Sequence, residues 1–210
     1  MDLDFPAGRI RFYRPGEGMA AAAAAGLIPL PAAVLNETGI LGIRATSPAA
    51  LSGPRGGGPQ PFVGMLDCGA SFSALNWQAA ALAGLPPKGD PAYGTHSKRD
   101  VGVAVVGVDG RPQVLPLVQV QFSFLGDARR GPGGGYEFES PPAGWQPWAP
   151  VLAAVGDLPV FSQLLSRDPG TTFAGPAALV GLDVLSQRRI LFGAGDGVRG
   201  RGRKLLVAAR

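Results

Sequence analysis

Glycine and proline interrupt this chain throughout. Of its 210 residues, 33 are glycine and 21 are proline. That share, about a quarter, approaches the level at which low-complexity behaviour sets in. Working against it, 46% of the residues are hydrophobic and only 16% are charged, a balance that favours folding over charge-solvated disorder. Together these facts predict short elements packed on one core and joined by long flexible loops. The length suits one domain with extensions.

Apolar runs bounded by turn residues mark the elements. Residues 1–26 read as an irregular arm with an alanine tract, and 27–210 as the domain proper. Two β-type pieces, 33–35 and 40–43, flank Asn36-Glu37-Thr38-Gly39, which reads as a hairpin turn. A Gly/Pro/Ser-rich loop over 47–60 leads into a strand at Phe62–Leu66. Residues 73–84 favour a helix, capped by Ser73 or Asn76 and ended by Gly84 before Pro86 and Pro87. Residues 101–124 form a hairpin around the Asp-Gly turn of Val108-Asp109-Gly110-Arg111. On its return strand Leu115, Leu117, Gln119 and Gln121 share one face, and Val118, Val120 and Phe122 the other. Residues 127–150, Gly/Pro-rich and holding Trp145 and Trp148, read as a long surface loop. A strand at 151–155, a helical turn at 158–165, a loop at 166–176, a strand-to-helix unit at 178–185 and strands at 189–192 and 204–208 follow. Many short strands with few short helices predict an all-β barrel.

Composition excludes several functions. Cys68 is the only cysteine and His96 the only histidine, which removes disulfide frameworks, Cys-rich zinc sites and two-histidine zinc motifs. No metal or cofactor is expected. Any Ser-His-Asp triad would have to use His96, which lies in a polar stretch and reads as an exposed loop histidine. The net charge is +4, with Arg199, Arg201, Arg203 and Lys204 clustered among glycines. No aromatic residue is interleaved there for base stacking, so a solvated turn is expected rather than a nucleic-acid contact. Residues 19–35 are apolar, but Pro29 and Pro31 break them, and they fall short of the roughly 20 residues a membrane span needs. Asp2 and Asp4 precede them, unlike the basic start of a secretory signal. No membrane partner is expected, and an intracellular location is favoured.

The reactive chemistry concentrates at Asp67. The run Phe62–Leu66 ends in this carboxylate, followed at once by Cys68-Gly69-Ala70-Ser71-Phe72-Ser73. A strand-end carboxylate followed by small residues lies at the edge of a core, and a nearby glycine lets the backbone turn back tightly. The plain alternative is a carboxylate that only caps a turn.

Residues 62–73 resemble the active-site loop of retropepsin-like aspartic proteases, whose pattern is apolar-Asp-Thr/Ser-Gly-Ala-Ser/Asp. Leu179-Val180-Gly181-Leu182-Asp183-Val184-Leu185 resembles that family's second signature: apolar residues, a glycine, then Asp or Asn shortly before Leu. The two lie about 110 residues apart, and the 127–150 insertion accommodates the excess over viral members. The helix and the 101–124 hairpin fall where cellular and retrotransposon relatives carry a helix and the flap. The resemblance spans roughly residues 27–208.

The resemblance implies a closed barrel with a flap hairpin and an aspartic-type endopeptidase activity carried by Asp67. Asp183 matches the family's structural Asp/Asn, so the chain holds a single Asp-x-Gly motif. Activity then requires a homodimer with an isologous interface. Two carboxylates a few ångströms apart share one proton and titrate as a unit. The ionised one takes a proton from water while the protonated one polarises the scissile carbonyl, assistance worth roughly 10²–10⁴-fold. Gly69, Ala70 and Ser71 would bind the backbone of an extended peptide or protein substrate, and Gly107, Val108, Asp109 and Gly110 would form the flap tip. Cys68, Gly181 and Asp183 complete the structural signature. Cys68 is the departure: the family has Thr or Ser here, whose hydroxyl bonds between the two active-site loops, and a thiol is a weaker donor. It reads as a tolerated small buried residue, or as a redox-sensitive switch. A different class of function, a non-catalytic peptide-binding or dimerisation module on the same barrel, stands beside the protease.

Overall fold

The computed structural model describes residues 1–14, 16–31, 33–35, 38–47, 60–91, 97–106, 110–125, 128–130, 136–138, 145–166, 173–193 and 204–208. It is predominantly β. The chain begins with strands β1 (Asp2–Asp4) and β2 (Arg9–Arg11), helix α1 (Glu17–Ala24), and strands β3 (Ile28–Pro31), β4 (Ala33–Leu35), β5 (Thr38–Thr46) and β6 (Phe62–Leu66). Strand β7 (Ala74–Leu75), helix α2 (Trp77–Leu82) and the long strands β8 (Ser97–Val106) and β9 (Pro112–Phe124) follow. Then come β10 (Ala128–Arg130), β11 (Tyr136–Phe138), β12 (Val151–Val155), α3 (Pro159–Leu165), β13 (Ala177–Val180), α4 (Leu182–Leu185), β14 (Arg189–Gly193) and β15 (Lys204–Val207). No described helix is long and apolar enough to cross a membrane.

Eight strands form one sheet in the order β4-β5-β6-β13-β7-β12-β9-β8, and β5 pairs with β9 as well as with β6. The pairings therefore run from β5 through β6, β13, β7, β12 and β9 and return to β5. β5 divides its length between two neighbours, setting Ile40–Ile43 against β6 and the stretch from Ile43 to Thr46 against β9. A second sheet has the order β2-β1-β14-β15-β3, and β10 and β11 form a ribbon.

β6 is apolar and buried on both faces, as a central strand must be. β9 is buried first at Leu115 and Leu117, then at Val118, Val120, Phe122 and Phe124. The first pair faces a cluster with Met65, Leu179, Leu158 and Phe161, and the second set faces the larger core. The two-faced reading of this strand holds, and each face has its own apolar partner. The Asn36–Glu37 turn, most of the 47–60 loop and His96 lie outside the described residues.

Three expectations change. Residues 1–26 are not irregular: β1 lies between β2 and β14, and α1 packs Ala22 with Leu27 against Leu191. Asp2 is fully buried there, held by Arg189 Nε at 2.9 Å and Nη2 at 2.7 Å and by the Tyr13 hydroxyl at 2.9 Å. A carboxylate tolerates such burial only when paired. Second, Ala74 and Leu75 form a strand between β12 and β13 instead of a first helical turn. Asn76, not Ser73, caps α2, accepting from Ala79 N–H at 2.9 Å, and Gly84 ends the helix at φ 80°. Third, the 127–150 segment is not simply a surface loop. Its first half holds the β10–β11 ribbon, and near its end Trp148 is fully buried beside Phe124 and Trp145, with ring centroids at 4.1 and 4.9 Å. Arg188 lies 4.4 Å above Trp148 and donates to the carbonyls of Gln146 and Pro147.

Candidate functional site

β6 and β13 run parallel, with Leu66 beside Val180, and Asp67 N–H extends the ladder by donating to Val180 O at 3.0 Å. β7 flanks the other side of β13, antiparallel, with Ala74 beside Leu179. Residues 67–73 thus connect two strands separated by β13 and must cross its end.

Gly181 lies at that crossing. A Cβ there would come within 2.8 Å of Ala70 O and of the carbonyl carbon and oxygen of Phe72. These are backbone atoms that cannot swing aside, so the position admits only glycine. Leu182 N–H donates to Ala70 O at 2.8 Å, fixing the same loop from below.

Asp183, on α4, holds the far end of the crossing. Its carboxylate accepts from Ser73 Oγ at 2.7 Å, Ser73 N–H at 3.0 Å and Val184 N–H at 2.9 Å. Ser73 Oγ in turn accepts from Gly181 N–H at 3.0 Å. The buried hydroxyl therefore donates once and accepts once, and both motifs meet in a single satisfied network. Gln187 donates to Asp183 O at 3.0 Å and supports α4 from behind.

Asp67 itself is half-buried. Its Oδ1 accepts from Gly69 N–H at 2.8 Å, and its carbonyl accepts from Ala70 N–H at 3.3 Å, a tight turn back on itself. A Cβ at position 69 would come 3.2 Å from that Oδ1, so any side chain there would push the Asp67 carboxyl by a few tenths of an ångström. Oδ2 accepts no hydrogen bond from the described residues, which leaves it for water or a second carboxyl. Gly69 and Ser71 are exposed and Ala70 is half-buried. Phe72 is 48% exposed, an aromatic side chain displayed from a clamped backbone. Cys68 is exposed, which corrects its reading as a small buried residue.

The hairpin β8–β9 forms as expected, ending with Val106 opposite Pro112 and carrying a register irregularity between Ser97 and Gly102. Gly110 is exposed at φ 70°, left-handed backbone that suits glycine. Gly107, Val108 and Asp109 lie outside the described residues. Val105 and Leu115 of the hairpin belong to the same apolar cluster as Ala70, so hairpin and loop share a foundation. Arg199, Arg201 and Arg203 also lie outside the described residues, and Lys204 opens β15.

The sequence signals singled out Asp67, Gly181 and Asp183, and the fold brings the segments that carry them together. They missed the role of Ser73, whose hydroxyl fits a helix cap equally well in one dimension, and the display of Phe72. No protein-family model and no curated protein matches this chain.

Proposed function

We propose that this chain is a retropepsin-like aspartic endopeptidase, active as a homodimer in which the Asp67 carboxyls of two copies face each other. One observation carries the reading: the Asp67 loop is locked across the end of β13 by Gly181 and by the Ser73–Asp183 pair. That clamp commits a partly buried carboxylate, a buried hydroxyl and an obligatory glycine to holding one half-exposed carboxyl still. A turn-capping aspartate needs no such support. The cycle of pairings through β5 and β9 supports a closed barrel beneath it.

One carboxyl cannot both accept a proton from water and donate one to the substrate carbonyl. Two facing copies divide the work, sharing a single proton because both cannot ionise side by side. The ionised Asp67 removes a proton from water, the resulting oxygen nucleophile adds to the peptide carbonyl while the protonated Asp67 protonates the carbonyl oxygen, and the tetrahedral intermediate then breaks its C–N bond as the first Asp67 passes the proton it took to the leaving nitrogen. The substrate lies extended along Gly69, Ala70 and Ser71, beneath the hairpin. Val106 and Val114, highly exposed and on one face of that hairpin by register, offer apolar contact to such a strand.

The purified protein should cleave unstructured polypeptides at mildly acidic pH, with inhibition by pepstatin. Asp67→Asn should abolish cleavage while leaving thermal unfolding unchanged. Cleavage that survives this substitution refutes the assignment. A second reading, a peptide-binding or dimerisation module without turnover, is favoured by Cys68, which puts a weak donor where a loop-bracing hydroxyl is expected. Peptide binding by the wild type with no cleavage would decide for it.

A further inference from the structure

The segment Trp145-Gln146-Pro147-Trp148-Ala149-Pro150 leads from the Gly/Pro-rich insertion into strand β12. Pro147 and Pro150 have no N–H to offer, so this stretch cannot extend the regular ladder that β12 makes with β9. It touches β9 through Trp148 N–H, donated to Phe122 O at 3.0 Å. Side chains satisfy its carbonyls instead, four in succession. Arg188 Nη2 donates to Gln146 O at 2.8 Å and to Pro147 O at 2.7 Å, Gln121 Nε2 to Trp148 O at 3.0 Å, and Gln187 Nε2 to Ala149 O at 3.3 Å. Trp145 and Trp148 are buried, and the Arg188 guanidinium lies over both rings. The protein grips this strap much as a receptor grips an extended peptide.

Gln187 is where the strap meets the site. Its Oε1 accepts from Ala149 N–H at 2.8 Å, so its amide engages both backbone groups of that residue. Its Nε2 also donates to Asp183 O at 3.0 Å. Three bonds therefore orient one side-chain amide. The carboxylate of the same Asp183 holds Ser73 Oγ and Ser73 N–H. An unbroken run of bonds leads from Ala149 through Gln187, Asp183 and Ser73 to the end of the Asp67 loop.

The run passes through α4, which has four residues, far too few to be stable alone. Val184 and Leu185 sink it into the core. Apolar burial is non-directional, so it fixes the depth of this turn better than its rotation. Rotation decides where the Asp183 carboxylate points. We infer that Gln187 is a positioning residue for the cleavage proposed above, an inference that rests on that reading: it ties the strap to α4 and so fixes the rotation at which Asp183 holds the Asp67 loop. Its neighbours serve other segments, Arg188 gripping the strap and Arg189 pairing with Asp2. Of the three, Gln187 is the one whose side chain reaches back to α4. The end of the insertion thereby becomes part of the support of the site.

The test is amide hydrogen exchange at Gly69, Ala70 and Ser73, with thermal unfolding and steady-state cleavage, on wild type, Gln187→Leu, Gln187→Glu and Tyr13→Phe. Leucine fills the space of Gln187 without its polar atoms. Glutamate keeps an acceptor for Ala149 N–H and loses both donations. Tyr13→Phe removes one hydrogen bond from Asp2, in another sheet, and serves as the stability control. In both Gln187 variants, exchange at the three loop amides should quicken by about 5–30-fold, the factor that one or two lost hydrogen bonds give a local opening. In Tyr13→Phe it should keep the wild-type rate. In the Gln187 variants kcat should fall roughly tenfold with KM unchanged, as a misplaced carboxyl dictates. Loop amides that exchange at the wild-type rate in both Gln187 variants overturn the inference and leave the protease reading intact. A loosened loop with undiminished kcat also overturns it, as does equal loosening in Tyr13→Phe, which would mark global opening. A wild type that cleaves nothing, while the Gln187 variants still loosen the loop, removes the protease and upholds the tie from strap to loop.

Discussion

Ser73 shows how one hydroxyl can hold a site it does not belong to. It joins Asp183 to Gly181 N–H and leaves no buried polar group in that network unpaired. Ser73→Ala strands one amide and removes a hydrogen bond to a charged group, costing about 1.5–3 kcal/mol. For a chain of this length that corresponds to a melting temperature lower by roughly 3–12 °C. Cleavage should fall further than stability does, because the loop loses its register before the fold is lost. Gly181→Ala should behave similarly for a steric reason: its methyl meets three backbone atoms, and overpacking typically costs about 1–3 kcal/mol. Thermal unfolding and cleavage, measured on both variants, check this. Asp67 and Gly181 were legible in the sequence because their neighbours are distinctive. Ser73 was not, since its partner is 110 residues away and helix capping is a valid local use of the same side chain.

At the level of elements, long pairings were readable and short ones were not. The β8–β9 hairpin and strand β6 carry enough apolar residues for their pattern to show. β1, β2 and β7 have two or three residues each, and only their neighbours make them strands. Ala74 has high helix propensity but is a strand residue because β12 and β13 claim it. Trp148 was hidden by its Gly/Pro-rich surroundings, and its cation partner Arg188 comes from beyond α4. The β1–β14 pairing makes an acid-side prediction. The hydrogen bonds from Arg189, ahead of those from Tyr13, hold Asp2 below the usual carboxylate range despite its burial. A depressed folded pKa gives stability that is full above the ordinary carboxylate pKa and is lost as pH falls through the depressed value. The sheet should therefore persist at mildly acidic pH and weaken only below it. Asp2→Asn should destabilise the neutral protein by on the order of 3 kcal/mol, by leaving Arg189 unpaired, and should flatten the acid limb of a stability–pH curve. An unchanged acid limb would show that Asp2 does not control it.

For the whole molecule, the sequence foretold a β-rich chain with two signatures and a hairpin between them, and the fold unites those signatures across β13. It did not foretell that the first 26 residues add strands β1 and β2 to a sheet, because three-residue strands carry too little pattern. The central claim concerns two copies: one chain holds half a catalytic centre. Mixing wild type with excess Asp67→Asn under conditions of subunit exchange tests it most directly. Random pairing places most wild-type chains opposite an inactive partner, so a ninefold excess should cut cleavage by the same amount of wild type about tenfold. Cleavage that stays constant as the inactive subunit is added would show that each chain works alone, and would contradict the account.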